Sequence, residues 1–283
     1  MTTEIFDLYQ KCLPDIVRGE EKVKQILGDK DNHIIVRRQG SALIGVSVIN
    51  ENIIYLLCVD EPLQHQGIGG ELLNESEQFM KAQGFSKVIL GAGKEYIMPG
   101  VPMKHGAHNF FQKRGYVHSW GETGCFDMEQ DLRDFVYNDH SVGDAIDGVT
   151  YKWATPEYLE QVVLCVADAE AKFVPIYQNK EYYHEGTIRP ILIAITDGEV
   201  AGAVLLYVGS TEDMGSVGAV ATAHKYRNRG IATNMVLIGT RHLKDVGLSR
   251  ATLGYTYTQI VHMYGRAGYK VSQEYFMGEK IFG

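Results

Sequence analysis

Seven consecutive residues, Ile53-Ile54-Tyr55-Leu56-Leu57-Cys58-Val59, are apolar or aromatic. A run of that length predicts a strand buried on both faces. After it comes Gln64-His65-Gln66-Gly67-Ile68-Gly69-Gly70, and then apolar positions at Leu72, Leu73 and Phe79. These predict a helix from near Gly67 to Ala82, stopped by Gly84. The succession returns later in the chain. The apolar stretch Val217 to Thr222 leads into Arg227-Asn228-Arg229-Gly230-Ile231-Ala232, which opens a helical pattern over Gly230–Val246.

A second pair of segments follows the first. Phe110-Phe111-Gln112-Lys113-Arg114-Gly115-Tyr116 matches Met263-Tyr264-Gly265-Arg266-Ala267-Gly268-Tyr269. Gly67 and Gly115 are 48 positions apart, and Gly230 and Gly268 are 38 apart. The ten extra residues fall in one place, Gly93 to Pro102. Two ordered motifs repeating around one localised insertion indicate a duplicated unit.

Hydrophobic patterning fills in both copies. In the first it predicts helices over Ile5–Val17 and Glu21–Leu27, and strands at His33–Arg38, Ala42–Ile49 and Ile53–Val59. A strand at Lys87–Leu90, a helix at Ala107–Lys113 and a strand at Cys125–Met128 complete it. The second copy reads as a strand at Thr150–Trp153, a helix over Pro156–Lys172, and strands at Pro190–Thr196, Val200–Val208 and Ser216–Thr222. A strand at Ala251–Leu253, a helix at Ile260–Arg266 and a strand at Tyr269–Met277 follow the Gly230 helix. The turn Thr196-Asp197-Gly198 signals a hairpin. The first copy has no counterpart of Thr150–Trp153 and reads as degenerate. The fold class expected is α/β with mixed sheets: a domain over 1–133, a linker over 134–148 rich in Asn, Asp, Ser and Gly, and a domain over 149–283.

Length supports this division, since 283 residues suit two domains of about 140 each. The formal net charge of −8 argues against nucleic-acid or anionic-membrane partners, which require a basic face. It suits a cationic acceptor, although an acidic surface also serves solubility alone. Cys12, Cys58, Cys125 and Cys165 form no CxxC pair, so neither a metal site nor a disulfide framework is signalled. The start Met1-Thr2-Thr3-Glu4 does not resemble a signal peptide, and no run reaches the ~20 apolar residues of a membrane span. The expected location is cytoplasmic. Oligomeric state is not readable.

A strand, a glycine-rich turn and a helix carry chemistry because the first N–H groups of a helix lack intrahelical partners and sit at the positive end of its dipole. A pyrophosphate can accept those N–H groups where the backbone is open, as at Gly67, Gly69 and Gly70, or at Gly230 and Ala232. Arg227 and Arg229 add positive charge there. Neither a Walker lysine nor the longer dinucleotide fingerprint is present, so a nucleoside triphosphate or a nicotinamide is not expected.

The pattern Gln/Arg-x-x-Gly-x-Gly/Ala after a central strand resembles the acyl-CoA pyrophosphate signature of the GNAT superfamily. Val59-Asp60-Glu61-Pro62, Phe111–Tyr116 and Tyr264–Tyr269 are also similar to segments of that family, and tandem members occur in it. The resemblance spans nearly all of residues 30–130 and 150–280. It implies acetyl-CoA as acyl donor and an N-acetyltransferase acting on a small-molecule amine. The cofactor-binding residues it implies are Val220, Thr222, Arg227, Asn228, Arg229, Gly230, Ile231 and Ala232 in the second copy. In the first they are Val59, Gln64, His65, Gln66, Gly67, Ile68, Gly69 and Gly70. The strand before each turn is expected to splay from its neighbour and admit pantetheine, with the acyl carbonyl against N–H groups near Val59 or Thr222.

Many members use a tyrosine four residues before the second-motif glycine to protonate the departing thiolate. That position is Tyr264 in the second copy and Phe111 in the first, which has no proton to give. The second half is therefore expected to be catalytic and the first structural or regulatory. The general base stays unassigned: Ser216–Thr222 holds no carboxylate, and Glu212, Asp213, His224 and His262 are merely near in sequence. Phe173, Tyr177, Tyr182, Tyr183 and His184 either receive the acceptor or serve packing. The Met98–Pro102 loop either plugs its own cleft or packs on the other domain. A non-catalytic acyl-CoA sensor and catalysis in the N-terminal half are the alternatives.

Overall fold

Helix α1 (Thr2–Cys12) ends before Pro14, whose ring cannot continue a helix and keeps Leu13 out of the helical region (φ −134°, ψ 54°). The helix expected over Ile5–Val17 therefore stops shorter; it also begins earlier, at Thr2. The structure, a computed structural model, describes residues 1–16, 18–92, 96–136, 148–209 and 213–283. Most of the expected linker, and Glu212, lie outside the described residues.

After α1 come α2 (Glu20–Leu27), β1 (His33–Gln39), β2 (Ala42–Asn50), β3 (Ile53–Val59), α3 (Ile68–Ala82), β4 (Lys87–Leu90) and β5 (Val101–Pro102). Next are α4 (His108–Gln112), β6 (Val117–His118) and β7 (Cys125–Asp131). The second copy supplies β8 (Thr150–Trp153), α5 (Leu159–Glu170), α6 (Val174–Tyr177), β9 (Ile191–Thr196), β10 (Glu199–Tyr207) and β11 (Met214–Thr222). It closes with α7 (Ile231–Asp245), β12 (Arg250–Tyr257), α8 (Thr258–Arg266), β13 (Lys270–Phe276) and β14 (Gly278–Ile281). The single helix expected over Pro156–Lys172 is α5 flanked by short 3₁₀ turns, one opening at Pro156 and one at Ala171. The β9–β10 hairpin turns through Asp197 (φ 53°) and Gly198 (φ 78°), as its sequence requires.

The chain forms two compact units, Met1–Cys125 with Gln273–Gly283, and Phe126–Ser272. The division is not the linear one expected, because terminal strands are exchanged. The first sheet runs β1-β2-β3-β4-β14-β6, so the last strand of the chain lies between β4 and β6. The second contains β13-β7-β12-β11-β10-β9-β8, so β7 occupies the matching place beside β12. Strand β14 pairs antiparallel with β4 (Lys280↔Val88) and β6 (Gly278↔His118), covering an edge that four-residue β4 would otherwise leave unpaired.

Each unit has its own apolar core. Leu72, Leu73 and Met80 of α3 pack with Ile54, Val88 and Leu90 in the first; Met235, Val236 and Leu243 of α7 pack with Val204, Leu206 and Val217 in the second. The repeat persists in the polar contacts. The tyrosine after each second-motif glycine bonds the tenth residue beyond each turn glycine. Tyr116 Oη donates to Glu77 Oε1 (2.9 Å), and the Tyr269 hydroxyl meets Thr240 Oγ1 (2.8 Å). Lys280 adds an ion pair to Glu77 (2.8 Å). The described part of the insertion folds onto its own unit: the Ala92 N–H donates to the Met98 carbonyl (3.0 Å) and Arg18 Nε to the Ile97 carbonyl (3.0 Å).

Candidate active site

Strands β11 and β12 are parallel partners only at Met214↔Arg250, Gly215↔Ala251 and Ser216↔Thr252. Beyond Ser216 they diverge, leaving the C-terminal half of β11 unpaired on that side. On the other side β11 carries a bulge. Ala203 faces Ala221 and Leu205 faces Gly218, so Ala219 and Val220 together oppose Val204. Ala219 takes φ 47°, an unusual conformation for alanine, and its carbonyl accepts a hydrogen bond from Tyr177 Oη (2.6 Å). Tyr183 Oη in turn donates to the Tyr177 carbonyl (2.8 Å). Both tyrosines are buried, so they shape the bulge from within the core.

In the first unit β3 also leaves β4, after Ile53↔Ile89 and Ile54↔Leu90. Its register with β2 is unbroken from Leu56↔Val48 to Val59↔Gly45, however, and the bulge falls earlier, at Tyr55. Only β11 is bulged at the end that meets the turn.

The two turns share one backbone form. Asn228 (φ 63°) and Gly230 (φ 82°) correspond to His65 (φ 61°) and Gly67 (φ 95°), left-handed at both positions. Neither α3 nor α7 has a side-chain cap, and the first intrahelical bonds are Glu71 N–H to Gly67 O and Asn234 N–H to Gly230 O (3.0 Å each). The N–H groups of Ile231, Ala232 and Thr233 are therefore outside the helical ladder. A Cβ on Gly67 would meet nothing within 4 Å, so that glycine serves its left-handed backbone and not close packing. The surroundings then differ. Phe110 and Arg114 pack against Gly69 and Gly70, with the guanidinium 3.8 Å from the Phe110 ring centroid. Met263 and Ala267 hold the matching positions in the second copy. In the first turn the Gln64 and Gln66 side chains donate to the Val59 and Pro62 carbonyls (3.0 and 3.3 Å), and Val59 belongs to the core.

Within the second unit a cavity of about 550 Å³ lies at the open end of β11. Of the residues expected at the site, Val220, Thr222, Arg227, Asn228, Gly230, Ile231, Ala232 and Tyr264 line it, and Arg229 does not. The Arg229 guanidinium lies 5.3 Å from the Tyr226 ring centroid. Arg227 is held by protein carbonyls: Nε donates to Thr222 O (3.2 Å) and Nη2 to Ala169 O (2.9 Å). It thus ties the end of α5 to the end of β11. Among the described residues Thr222 Oγ1 is buried without a hydrogen-bond partner, a cost that a ligand in the cavity would relieve.

Tyr264, on α8, is 5% exposed. Among the described residues its hydroxyl has no hydrogen-bond partner. Burial, with a smaller contribution from Tyr257, pushes its phenol above the ordinary tyrosine value, so it holds its proton at neutral pH. At the equivalent position Phe111 packs edge-on against Tyr116 (5.5 Å, 77°).

The base candidates separate. Asp213 lies at the opposite end of β11 from the cavity and accepts the Ser249 N–H (2.8 Å). His224 is paired with Asp168, which accepts its N–H at 2.6 Å. His262 lines the cavity. So does Glu170, the only carboxylate among the lining residues. It ends α5, where no local pattern marked it. Of the aromatic set, Phe173 lines the cavity, Tyr177 and Tyr183 are core, Tyr182 lies under Arg189 and His184 is exposed.

Sequence and structure comparisons agree on the class of fold. A profile described as "Acetyltransferase (GNAT) domain" matches residues 8–128, and one described as "Acetyltransferase (GNAT) family" matches 150–269. No curated protein matches in sequence. Among solved structures, a fungal protein described as a GCN5-related glucosamine N-acetyltransferase region within a multi-domain β-N-acetylglucosaminidase superposes with a TM-score of 0.78 at 18% identity. That match covers 98% of this chain but 36% of the fungal one, so the chain spans about a third of that protein. A GCN5-related N-acetyltransferase from Sphaerobacter thermophilus gives 0.75 at 16% identity, covering 98% and 91% of the two chains. A tandem GNAT protein from the clavulanic acid biosynthesis pathway gives 0.68 at 14% identity, covering 100% and 95%.

Proposed function

The chain belongs to the GNAT acetyltransferase family, with two such domains in tandem, and from that premise we propose that its C-terminal half transfers the acetyl group of acetyl-CoA to the amine of a small-molecule acceptor by direct attack. The observation that supports this most strongly is the meeting, in one cavity, of a splayed and bulged β11, the uncapped start of α7 and the Tyr264 phenol.

The residues present suit a CoA ester. Ile231, Ala232 and Thr233 offer N–H groups to a pyrophosphate, and the left-handed Asn228 and Gly230 aim the turn. Arg227 positions that turn by holding Thr222 and Ala169. Bound acetyl-CoA supplies an activated acyl carbon. The bulge at Ala219 and Val220 frees backbone groups from the ladder to face the acyl oxygen. Tyr264 gives its proton to the sulfur as the new N–C bond forms and the C–S bond breaks. The reading keeps the expected cytoplasmic location, and the net charge of −8 argues against nucleic-acid or anionic-membrane partners.

The N-terminal half serves structure or regulation in this reading. Phe110 and Arg114 press on its turn, β3 has no bulge at that end, and Phe111 has no proton to donate.

Free-thiol release from acetyl-CoA, measured on the intact chain against a panel of primary amines, tests the proposal. An amino sugar belongs in the panel because one structural relative is named for glucosamine. Amine-dependent thiol release supports the reading. Binding of acetyl-CoA by thermal shift, with no release across the panel, would instead mark an acyl-CoA sensor.

A further inference from the structure

Glu170 sits where helix energetics disfavour it. A carboxylate in the last turn of a helix adds to the negative end of the dipole. Asp168 stands in the same turn, but it accepts the His224 backbone N–H (2.6 Å), and the His224 imidazole lies 3.3 Å from it. Glu170 instead lines the cavity that holds Tyr264 and Thr222. Its backbone is fixed there, because Arg227 grips the preceding carbonyl, that of Ala169.

The partner that Glu170 does have indicates what it recognises. The Lys172 ammonium lies 3.4 Å from Glu170 Oε2 and 5.4 Å from the centroid of the Phe173 ring. Glu170 and Phe173 both line the cavity, whereas Lys172 does not and is 61% exposed. A carboxylate and an aromatic face thus converge on a primary ammonium belonging to the chain itself. Carboxylate and ring attract such a cation by independent means, one through charge and the other through the ring quadrupole.

We propose that Glu170 and Phe173 form the acceptor clamp of the C-terminal site, selecting a primary amine that arrives as an ammonium on an apolar or aromatic stem, with Lys172 as its intramolecular placeholder. This rests on the acetyl-transfer reading above. The acceptor displaces Lys172, loses a proton to water, and attacks the acyl carbon through its freed lone pair. As the C–S bond breaks, the thiolate takes the Tyr264 proton, the nitrogen of the new amide releases its second proton to water, and solvent restores the proton on Tyr264. Glu170 is a specificity residue here. It holds the ammonium and takes no proton.

The test compares the wild-type chain with Glu170→Gln, which keeps size and hydrogen-bonding but removes charge. The probes are phenethylamine, cationic at about pH 7.5, and phenylacetic hydrazide, similar in stem but uncharged there. Glu170→Gln is expected to raise KM for phenethylamine about 10–100-fold, the usual worth of a charge-assisted contact. KM for the hydrazide and for acetyl-CoA should stay within about twofold. Lys172→Met should lower KM for phenethylamine by removing the competitor. An equal change for both probes, or none, overturns the clamp while leaving acetyl transfer intact. If the wild-type chain releases no thiol with any amine, the transfer reading fails. Phenethylamine binding to wild type and Glu170→Gln by calorimetry then decides the clamp alone: weaker binding to the variant upholds it, and equal binding overturns it.

Discussion

Replacing Tyr264 with phenylalanine separates chemistry from packing at one atom. The ring is 5% exposed and meets Tyr269 edge-on at 6.3 Å, and its carbonyl accepts the Ala267 and Tyr269 N–H groups (2.9 and 3.1 Å). Phenylalanine keeps all of these. Among the described residues the hydroxyl has no hydrogen-bond partner, so its removal should cost at most about 1 kcal/mol of stability. Loss of a positioned general acid, by contrast, costs about 10²–10⁴-fold in kcat. At 1.36 kcal/mol per decade that is about 2.7–5.4 kcal/mol of barrier. KM for acetyl-CoA should change little, since the α7 N–H groups are untouched. Because burial raises the phenol, the wild-type kcat should show no alkaline decline from Tyr264 below about pH 10. The assay is free-thiol release with kcat, KM and melting temperature taken from the same preparations. Unchanged kcat would make Tyr264 a core residue and refute its role. A fall in kcat matched by a large fall in melting temperature would assign the loss to folding.

Two further predictions concern the fold. Glu279 of β14 pairs with Ile89 on one side and Val117 on the other, so Glu279→Pro removes its backbone N–H from a central strand. Calorimetry should show the first unit destabilised by about 1–3 kcal/mol, the cost of an unpaired buried group, with the second unit's transition unmoved; coincident shifts of both would contradict separate units. Tyr9 and Tyr183 are each pushed to about 12 by burial, and Tyr177, Tyr264 and Tyr269 are raised too. The folded state therefore holds protons that the unfolded chain releases near pH 10, so stability is intact below that pH and falls above it. The slope approaches about 1.4 kcal/mol per pH unit for each such tyrosine. Urea unfolding between pH 8 and about pH 11 checks this, and stability that rises over that range would reverse the sign.

The repeated turns were legible because backbone form there follows local chemistry: glycine at 67 and 230 takes the left-handed position that begins each helix. Strand β8 was legible to its ends, whereas the end of α1 was misjudged because the pattern was carried past Pro14 and its start because the polar Thr2-Thr3-Glu4 turn adds no apolar position to the pattern. What could not be read involves partners distant in sequence. Nothing local in Gly278–Ile281 says that it pairs with Lys87–Ile89. The bulge at Ala219 depends on its register with β10: Gly218 signals that the strand can kink there, but not which residues are left to oppose Val204. Arg227 was read as an anion ligand from its charge, yet two of its nitrogens are committed to carbonyls. Tyr177 and Tyr183, equal to Phe173 as aromatic candidates in sequence, were separated from it only by burial.

The central claim is that acyl transfer occurs in the C-terminal half, at the turn that opens α7. Gly230→Glu and Gly67→Glu test it most directly, since each places a bulky carboxylate where a pyrophosphate would bind and strains a left-handed backbone position. Measured as amine-dependent thiol release from acetyl-CoA on folded samples, Gly230→Glu should abolish turnover and Gly67→Glu should retain most of it. A dead Gly67→Glu beside an active Gly230→Glu would place the chemistry in the N-terminal half and contradict the account.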